Sequence, residues 1–249
     1  MTETLDAAPA SVSEDLLNDV VQAALRAGAD AAEAVSADRR ALSIGVRNGK
    51  LEDVEREESR DLGLRVFIGK RQATVSASDL SAATRARLVE RAVAMARLAP
   101  EDPFAGLAPE DQLARGAFAD LDLFDPTERS AAELEAASVA AEAAALGVPG
   151  VSKSEGGHAS WSSSDWRLVT SHGFDGRYRG TAFSLGVGVI AEKDGAMERG
   201  GESRTTRHLA DLPDAESIGL EGGRRAVART GPRKIGSTTA PVIFENRVA

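Results

Sequence analysis

The chain has 249 residues, 42% of them hydrophobic, which is enough for one large domain or two small domains with buried cores. Its 39 acidic and 30 basic residues give a net charge of -9 and are interspersed, so it lacks the clustered Lys and Arg of a nucleic-acid surface. The absence of cysteine excludes disulfides, thiolate catalysis and Cys-ligated metal centres. No apolar run approaches the ~18 residues of a membrane span. The start is polar and unlike a signal peptide. We therefore expect a soluble, cytoplasmic protein with no membrane or nucleic-acid partner.

The first part of the chain changes from helical to alternating periodicity and back again. Asn48-Gly49 and Gly69-Lys70 have the composition of tight hairpin turns, and Asp79 or Ser81 can cap the helix that follows. The predicted elements are a disordered tail (1–13), a helix (14–27), strands near 42–46, 63–68 and 73–77, and a helix ending near Leu98.

A segment rich in Pro, Asp and Gly, residues 101–129, is predicted to connect this unit to a second one of the same order. The second set comprises a helix (130–146), strands near 152–162, 166–171, 178–191 and 197–206, and a helix (214–229). The sequence thus predicts an α+β fold of two helix–antiparallel-meander–helix units, with mixed or antiparallel sheets packed on helices. The predicted domains are 14–100 and 130–235. Residues 236–249, with Val242–Phe244 as a buried strand, are predicted to begin a further C-terminal domain.

Catalytic signatures are missing from the sequence. Its three histidines, His158, His172 and His208, lie too far apart to share a metal ion from one helix. A pair of His172 and Asp175 could contact a metal, but its Gly-rich setting favours a structural turn. No nucleophilic-serine motif such as G-x-S-x-G is present. The sequence therefore predicts no catalytic and no metal-binding residue in this chain.

Five residues are candidates for contact with a substrate. Gly186 and Gly188 form a G-x-G-x-x-A pattern inside an alternating strand, where glycines let another backbone approach closely, instead of at a nucleotide-binding turn. The polar stretch 152–166 favours an exposed edge strand and turn, and a binding surface that uses its tryptophans is the alternative. The candidate substrate-binding residues are Trp161, Trp166, His172, Gly186 and Gly188.

Short segments spread over residues 14–249 match one known family in their order. They are Gly28–Ala34, Arg47–Gly49, Gly63–Arg71, Ser78–Leu80, Glu101–Leu107, Asp120–Pro126, Ser154–Gly156, Ser171–Phe174, Val189–Glu192 and Pro241–Phe244. The chain resembles the N-terminal and middle domains of TldD/PmbA proteins, truncated before the C-terminal domain. The connector and Ser171–Phe174 resemble the PmbA/TldE branch more than the TldD branch.

This resemblance implies a subunit of a peptidase assembly, also known by the older name of modulators of DNA gyrase. The zinc-binding motif is expected on a TldD-like partner, and no cofactor is expected in this chain. The chain would shape the chamber and bind extended or unfolded peptides, possessing no catalytic residue of its own. Two alternatives stay open: a stand-alone peptide-binding or regulatory module, and a homo-oligomeric peptidase with zinc ligands in a C-terminal half beyond Ala249.

Overall fold

The computed structural model describes residues 14–116 and 119–245, and the predicted tail at 1–13 lies outside them. Two short 3₁₀ turns, Glu110–Gln112 and Leu209–Asp211, lie in the loops. The elements in chain order are α1 (Glu14–Arg26), β1 (Ala31–Arg47), β2 (Lys50–Ile68), β3 (Arg71–Ala77), α2 (Ala82–Leu98), α3 (Ala131–Leu146), β4 (Val151–Thr170), β5 (Asp175–Lys193), β6 (Ala196–Thr206) and α4 (Ala215–Ala228).

The six strands form one antiparallel sheet in the order β3-β2-β1-β4-β5-β6. The predicted α+β class and the two helix–meander–helix units are confirmed, and the sheet is antiparallel throughout. The units join through β1 and β4, which pair from Glu33 opposite Thr170 to Val46 opposite Gly157. The sheet therefore continues without interruption from one unit into the other.

The polar stretch 152–166 is part of a central strand, so the prediction of an exposed edge strand is wrong. β4 is one strand of 20 residues, and its residues 157–169 pair with β1 on one side and with β5 on the other. β1 begins at Ala31, well before the alternation recognised at 42–46. Ala, Ser, Asp and Arg have weak strand propensity, so pairing on both sides, and not local preference, makes this part of β1 extended.

Side-chain caps and turn residues fix the ends of the elements. Ser81, Ser130 and Asp214 each accept a backbone N–H from the first turn of α2, α3 and α4, respectively, as the predicted helix starts require. At the hairpin turns Asn48 and Asp194 have φ of 52°, a left-handed conformation that Asn and Asp tolerate. These boundaries follow from local sequence.

All four helices pack on the same face of the sheet. Alternate strand residues point to one face, and even-numbered β1 residues serve both hydrophobic cores. The first core joins α1 and α2 to β1, β2 and β3, and includes Leu17, Ala34, Leu64, Val75, Val89 and Val93. The second joins α3 and α4 to β1, β4 and β5, and includes Ile44, Leu134, Leu185, Val187, Val189 and Ile218. The opposite face, here called the open face, is not covered by any described helix.

The predicted buried strand at Val242–Phe244 is not formed. Val242, Ile243 and Phe244 are 72%, 94% and 70% exposed and have no regular secondary structure. No described strand pairs with them, so their apolar sequence pattern lacks the neighbour that would make it a sheet element. Residues 246–249, the rest of this predicted segment, lie outside the described residues.

Candidate functional site

Two adjacent rows at the centre of the open face carry only small side chains on three neighbouring strands. Ala41 faces Ser162, which faces Ala182, and the next row is Ser43, Ser160 and Ser184. The two flanking rows add small residues beside one larger side chain each, Arg39 in one row and His158 in the other. The small-residue track is Ala41, Ser43, Gly45, Ser160, Ser162, Ser164, Gly180, Ala182, Ser184 and Gly186. Between Arg39 and His158 the track has no side chain larger than serine, so another chain can approach the sheet backbone closely there.

Aromatic side chains lie at one end of the track. Trp166 of β4 and Tyr178 of β5 are opposite each other and stack with ring centroids 6.5 Å apart and 10° between the planes. They are 38% and 56% exposed, respectively. The ring of Phe174 lies over Gly176, where an added Cβ would be 2.7 Å from Cζ. This end of the open face therefore offers an apolar surface to a ligand.

His158 lies at the other end of the track, in one row with Gly186 of β5 and Ser203 of β6. A Cβ at Gly186 would lie 2.4 Å from Cε1 of His158 and 2.9 Å from Cβ of Ser203. The space at Gly186 is thus taken by the histidine ring. Because neighbouring protein shields this ring from water, the pKa of His158 is lowered from its usual value.

A cleft of about 560 Å³ adjoins His158 between β4, β5 and β6. Glu202 on its wall is 6% exposed, and its Oε2 is 2.9 Å from Nε of Arg225. Glu155, also on the wall, lies 2.9 Å from Arg199. Since both carboxylates are paired with arginines, their charges are satisfied within the protein.

The structure separates the five predicted substrate-binding residues. Trp166, Gly186 and Gly188 lie on the open face, and His172 is exposed in the turn between β4 and β5. Trp161 points to the helix-bearing face, is only 6% exposed and packs under the guanidinium of Arg40, 5.5 Å from its ring centroid. Trp166 and Gly186 are separated along the sheet by about eight residues, or ~27 Å. Only an extended ligand could reach both.

The middle of the helix-bearing face holds a polar cleft of about 700 Å³. Asp38 of β1 and Asp165 of β4 face each other there. Nε of Arg60 lies 2.5 Å from Asp38, and Nε of Arg177 lies 2.9 Å from Asp165. The hydrogen bond to Asp165 raises the pKa of Arg177. These alternating charges in β1, β2, β4 and β5 carry no recognisable motif, and they form a polar seam between the two hydrophobic cores.

Sequence reasoning also missed Glu142, a buried carboxylate in α3. It is 1% exposed and accepts the backbone N–H groups of Asn48 at 2.8 Å and Gly49 at 2.6 Å. It also accepts the hydroxyl of Ser154. A single Glu in an Ala-rich helix gives no signal that it will clamp a hairpin turn 94 residues earlier.

The described residues contain no set of metal ligands. Among 14–116 and 119–245, no group of three His, Asp or Glu side chains converges on one point, whereas catalytic zinc takes three protein ligands and a water. In the same ranges no helix is long and apolar enough to cross a membrane.

This combination of one curved sheet, helices on a single face and two repeated units matches a known class of protein, the PmbA/TldD metallopeptidases. The family model for PmbA/TldA metallopeptidase domain 1 matches residues 32–96, and the model for the central domain matches residues 121–230. The chain belongs to the PmbA/TldD family.

Curated relatives agree with this assignment. The chain is 36% identical over 238 residues to the metalloprotease PmbA of Escherichia coli O157:H7, an alignment that covers 94% of this chain and 53% of that protein. It is 32% identical over 231 residues to a PmbA homologue of Haemophilus influenzae, covering 92% and 51%. The chain thus spans about half the length of the curated relatives it matches.

Solved structures show the same fold. A protein of Bacteroides thetaiotaomicron described as a modulator of DNA gyrase superposes with a TM-score of 0.82 at 18% identity, covering 89% of this chain and 51% of that one. TldE of Thermococcus kodakarensis superposes with a TM-score of 0.67 at 16% identity, covering 85% and 47%. At these identities the likeness supports the fold alone.

Proposed function

We propose that this chain is the peptide-binding, non-metal-binding part of a TldD/TldE-type metallopeptidase assembly. It shapes the chamber wall and holds extended or unfolded polypeptide for a partner that carries the zinc. The observation that carries the proposal is the open face, where the small-residue track runs between an aromatic end at Trp166 and a histidine end at His158.

The shape of this face suits an extended polypeptide. The ~27 Å between its ends corresponds to about eight residues of extended chain, a length that a compact ligand does not span. A peptide laid on the track could approach the sheet closely, since the side chains beneath it between Arg39 and His158 are no larger than serine. The stacked pair of Trp166 and Tyr178 would hold an apolar side chain at one end.

The partner and the location belong to the same proposal. The metal-binding subunit would be TldD-like, which makes the assembly a hetero-oligomer, and both subunits would work in the cytoplasm. A self-assembled form is the alternative partner arrangement. The relatives' names mention metalloprotease activity and modulation of DNA gyrase. The proposal adopts the first, because the acidic, interspersed charge of this chain does not provide a basic surface for nucleic acid.

Cleavage of an unfolded peptide tests the assignment of roles. The full-length protein is assayed with and without a TldD-like partner and zinc, and the metal content of each purified chain is measured. Cleavage only with the partner, and zinc only in the partner, is expected. Zinc and cleavage with this protein alone would establish the homo-oligomeric peptidase instead, and peptide binding without any partner-dependent cleavage would establish the stand-alone module.

Two matched substitutions test the open face. Ala182→Trp blocks the middle of the track, while Ala196→Trp places the same side chain at an exposed end of β6. We expect the first to weaken binding of a fluorescent unfolded peptide about tenfold or more, by occlusion of the surface, and the second to leave it unchanged. Equal affinities of the two variants would remove the open face from the proposal.

A further inference from the structure

The N-terminal part of β2, residues 50–61, forms an edge of the sheet that has no strand on one side. β2 is 19 residues long, but β3 pairs only with Leu62 to Ile68 of it. Residues 50–61 pair with β1 on one side and have no described strand on the other. All nine residues from Lys50 to Glu58 are exposed, so no described loop or helix covers this edge. A regular, uncovered edge of this length is a template for one more strand.

The backbone groups that face the free side can be identified. The carbonyl of Phe67 accepts the N–H of Asp30, which lies on the β1 side. Successive residues of an antiparallel strand direct their N–H and C=O groups to opposite sides, and the ladder has no irregularity between Asp53 and Phe67. Even-numbered residues such as Val54, Arg56 and Glu58 therefore direct these groups to the free side.

Acidic side chains line this edge on the open face. Asp53, Glu55 and Glu57 occupy alternate positions and share that face. Glu57 makes only a 3.9 Å pair with Arg39, and Asp53 and Glu55 have no ion-pair partner in the described parts of the chain. An added strand would place its own alternate residues about 5 Å from these carboxylates.

Both ends of the free segment are held in place. At one end the buried Glu142 clamps the turn at Asn48 and Gly49, and at the other end Leu62 pairs with Ala77 of β3. A segment that is already extended loses little conformational freedom when a strand is added to it.

From these observations we propose that residues 51–60 of β2 bind an extended segment with Lys or Arg at every second position, as an added strand. This inference rests on the proposed function and names the edge and the chemistry of the peptide it takes. The period of two follows from the strand, since only residues on the open face meet Asp53 and Glu55. A second copy of this chain is a poor occupant, because an edge pairing of two copies would place like charges opposite each other.

The outer edge of β3 and the free part of β5 suit such a peptide less well. The outer edge of β3 has seven residues and no acidic side chain. The N-terminal part of β5, before its pairing with β6 begins at Phe183, lacks a neighbour on that side only as far as Gly180, because the N–H of Thr181 donates to the carbonyl of Leu123 in the connector. This part of β5 carries Arg177 and Arg179.

Three short peptides, which differ in the pattern or the sign of their charges, test the proposal on this chain alone. A labelled alternating Lys-Thr peptide of about eight residues matches the free part of β2. A block peptide with all its lysines first has the same charge, and an alternating Glu-Thr peptide has the opposite charge. By fluorescence anisotropy at low ionic strength, we expect the alternating basic peptide to bind about tenfold more tightly than the block peptide, and the acidic one not at all.

Two variants at Arg56 distinguish the contribution of the backbone edge to peptide binding from that of its side chains. Arg56→Pro removes an N–H that faces the free side, and edge positions tolerate proline. Arg56→Ala loses the same side chain and keeps the N–H. We expect binding of the alternating peptide to be lost in the first and retained in the second, with thermal unfolding confirming that both are folded. Asp53→Lys combined with Glu55→Lys should transfer the preference to the alternating acidic peptide.

Each contrary result has a distinct meaning. Equal binding of the alternating and block peptides would overturn strand addition in favour of plain charge attraction. Undiminished binding by Arg56→Pro would overturn the edge assignment and leave the proposed function standing with another surface. Self-association that disappears in Arg56→Pro would show that a second copy occupies the edge. Binding of no peptide would overturn the inference, while the cleavage assay with a TldD-like partner would still decide the proposed function.

Discussion

The two helix–meander–helix units have the same element order but differ in how their helices pack and how their sheet edges end. In the first unit α1 and α2 contribute aliphatic residues such as Leu17 and Val89 to the core. In the second, α3 and α4 meet at backbone distance: a Cβ at Gly219 would be 2.2 Å from the carbonyl oxygen of Ala141. The helices of the second unit therefore pack more closely. The edges also end differently, because residues 50–61 of β2 extend past β3, whereas the connector contacts β5 at Thr181.

The connector explains part of this difference. Its Leu123 carbonyl accepts the N–H of Thr181, and its Asp125 N–H donates to the Thr181 hydroxyl at 2.9 Å. The connector thus covers β5 just beyond the end of β6. No described segment does the same for β2. Repeating an arrangement of elements therefore did not repeat its edges.

The largest expected effect on stability comes from substitutions in the two hydrophobic cores. Leu64→Ala in the first and Leu185→Ala in the second each remove a buried side chain, and each should lower the free energy of unfolding by about 3 kcal/mol. Because the sheet is continuous through β1 and β4, we expect a single unfolding transition in urea that shifts in both variants. Leu51→Ala, at a side chain 47% exposed, serves as the control, with a change within about 0.5 kcal/mol. Two separate transitions, each sensitive to only one substitution, would show that the units are independent domains.

A second effect compares two hairpin turns of the same conformation. Asn48-Gly49 is clamped by Glu142, whereas Asp194-Gly195 has no such carboxylate among its described contacts. Glu142→Gln replaces one carboxylate oxygen by an NH₂ group, which cannot accept a hydrogen bond from the turn. We therefore expect the free energy of unfolding to fall by about 2 kcal/mol. Amide exchange should accelerate at the first turn and stay unchanged at the second. Glu135→Gln on the same helix is the matched control, and unchanged exchange at both turns in Glu142→Gln would contradict the clamp.

The smallest effect concerns the connector and depends on pH. Hydrogen bonds from the Thr127 side chain and from the N–H groups of Leu209 and Thr127 hold the pKa of Asp125 below its usual value of 3.8. Since the folded pKa is the lower one, this stabilisation is present above the unfolded pKa and is lost as the pH falls through the folded pKa.

Asp125→Asn should therefore cost about 0.5–1 kcal/mol near neutral pH. The difference from the unsubstituted chain should vanish in acid, below the folded pKa of Asp125. Urea unfolding at several pH values measures it, with Asp111→Asn in the same connector as the control. A difference that persists at low pH would assign the effect to the side chain's shape instead of its charge.

The sequence predicted the helices and most turns because their signals are local. Ser81, Ser130 and Asp214 cap helices whatever lies around them, and Asn48-Gly49 adopts its turn for reasons of backbone conformation alone. The extent of the strands was not predictable in the same way. The stretch 152–166 is polar enough to suggest an edge, yet most of it lies at the centre of the sheet because β1 pairs with it from Gly157 onward.

The candidate site shows the same division. Glycines, serines and tryptophans could be recognised as unusual in β4 and β5, but periodicity does not say which face of the sheet the helices cover. Trp161 and Trp166 differ by five positions and so point to opposite faces, one under Arg40 and one to solvent. Glu142 contacts a turn 94 residues earlier in the chain, and no local pattern encodes such a contact.

The sequence by itself determined the family, the α+β class, the repeated order of elements and the absence of a recognisable catalytic motif, because these depend on residue types and their local spacing. The tertiary structure alone decided that the two units share one sheet, that one face of it is open and that part of β2 has a neighbouring strand on one side only. These features depend on which strands become neighbours, and strand pairing is a contact between residues distant in sequence that only the folded chain brings together.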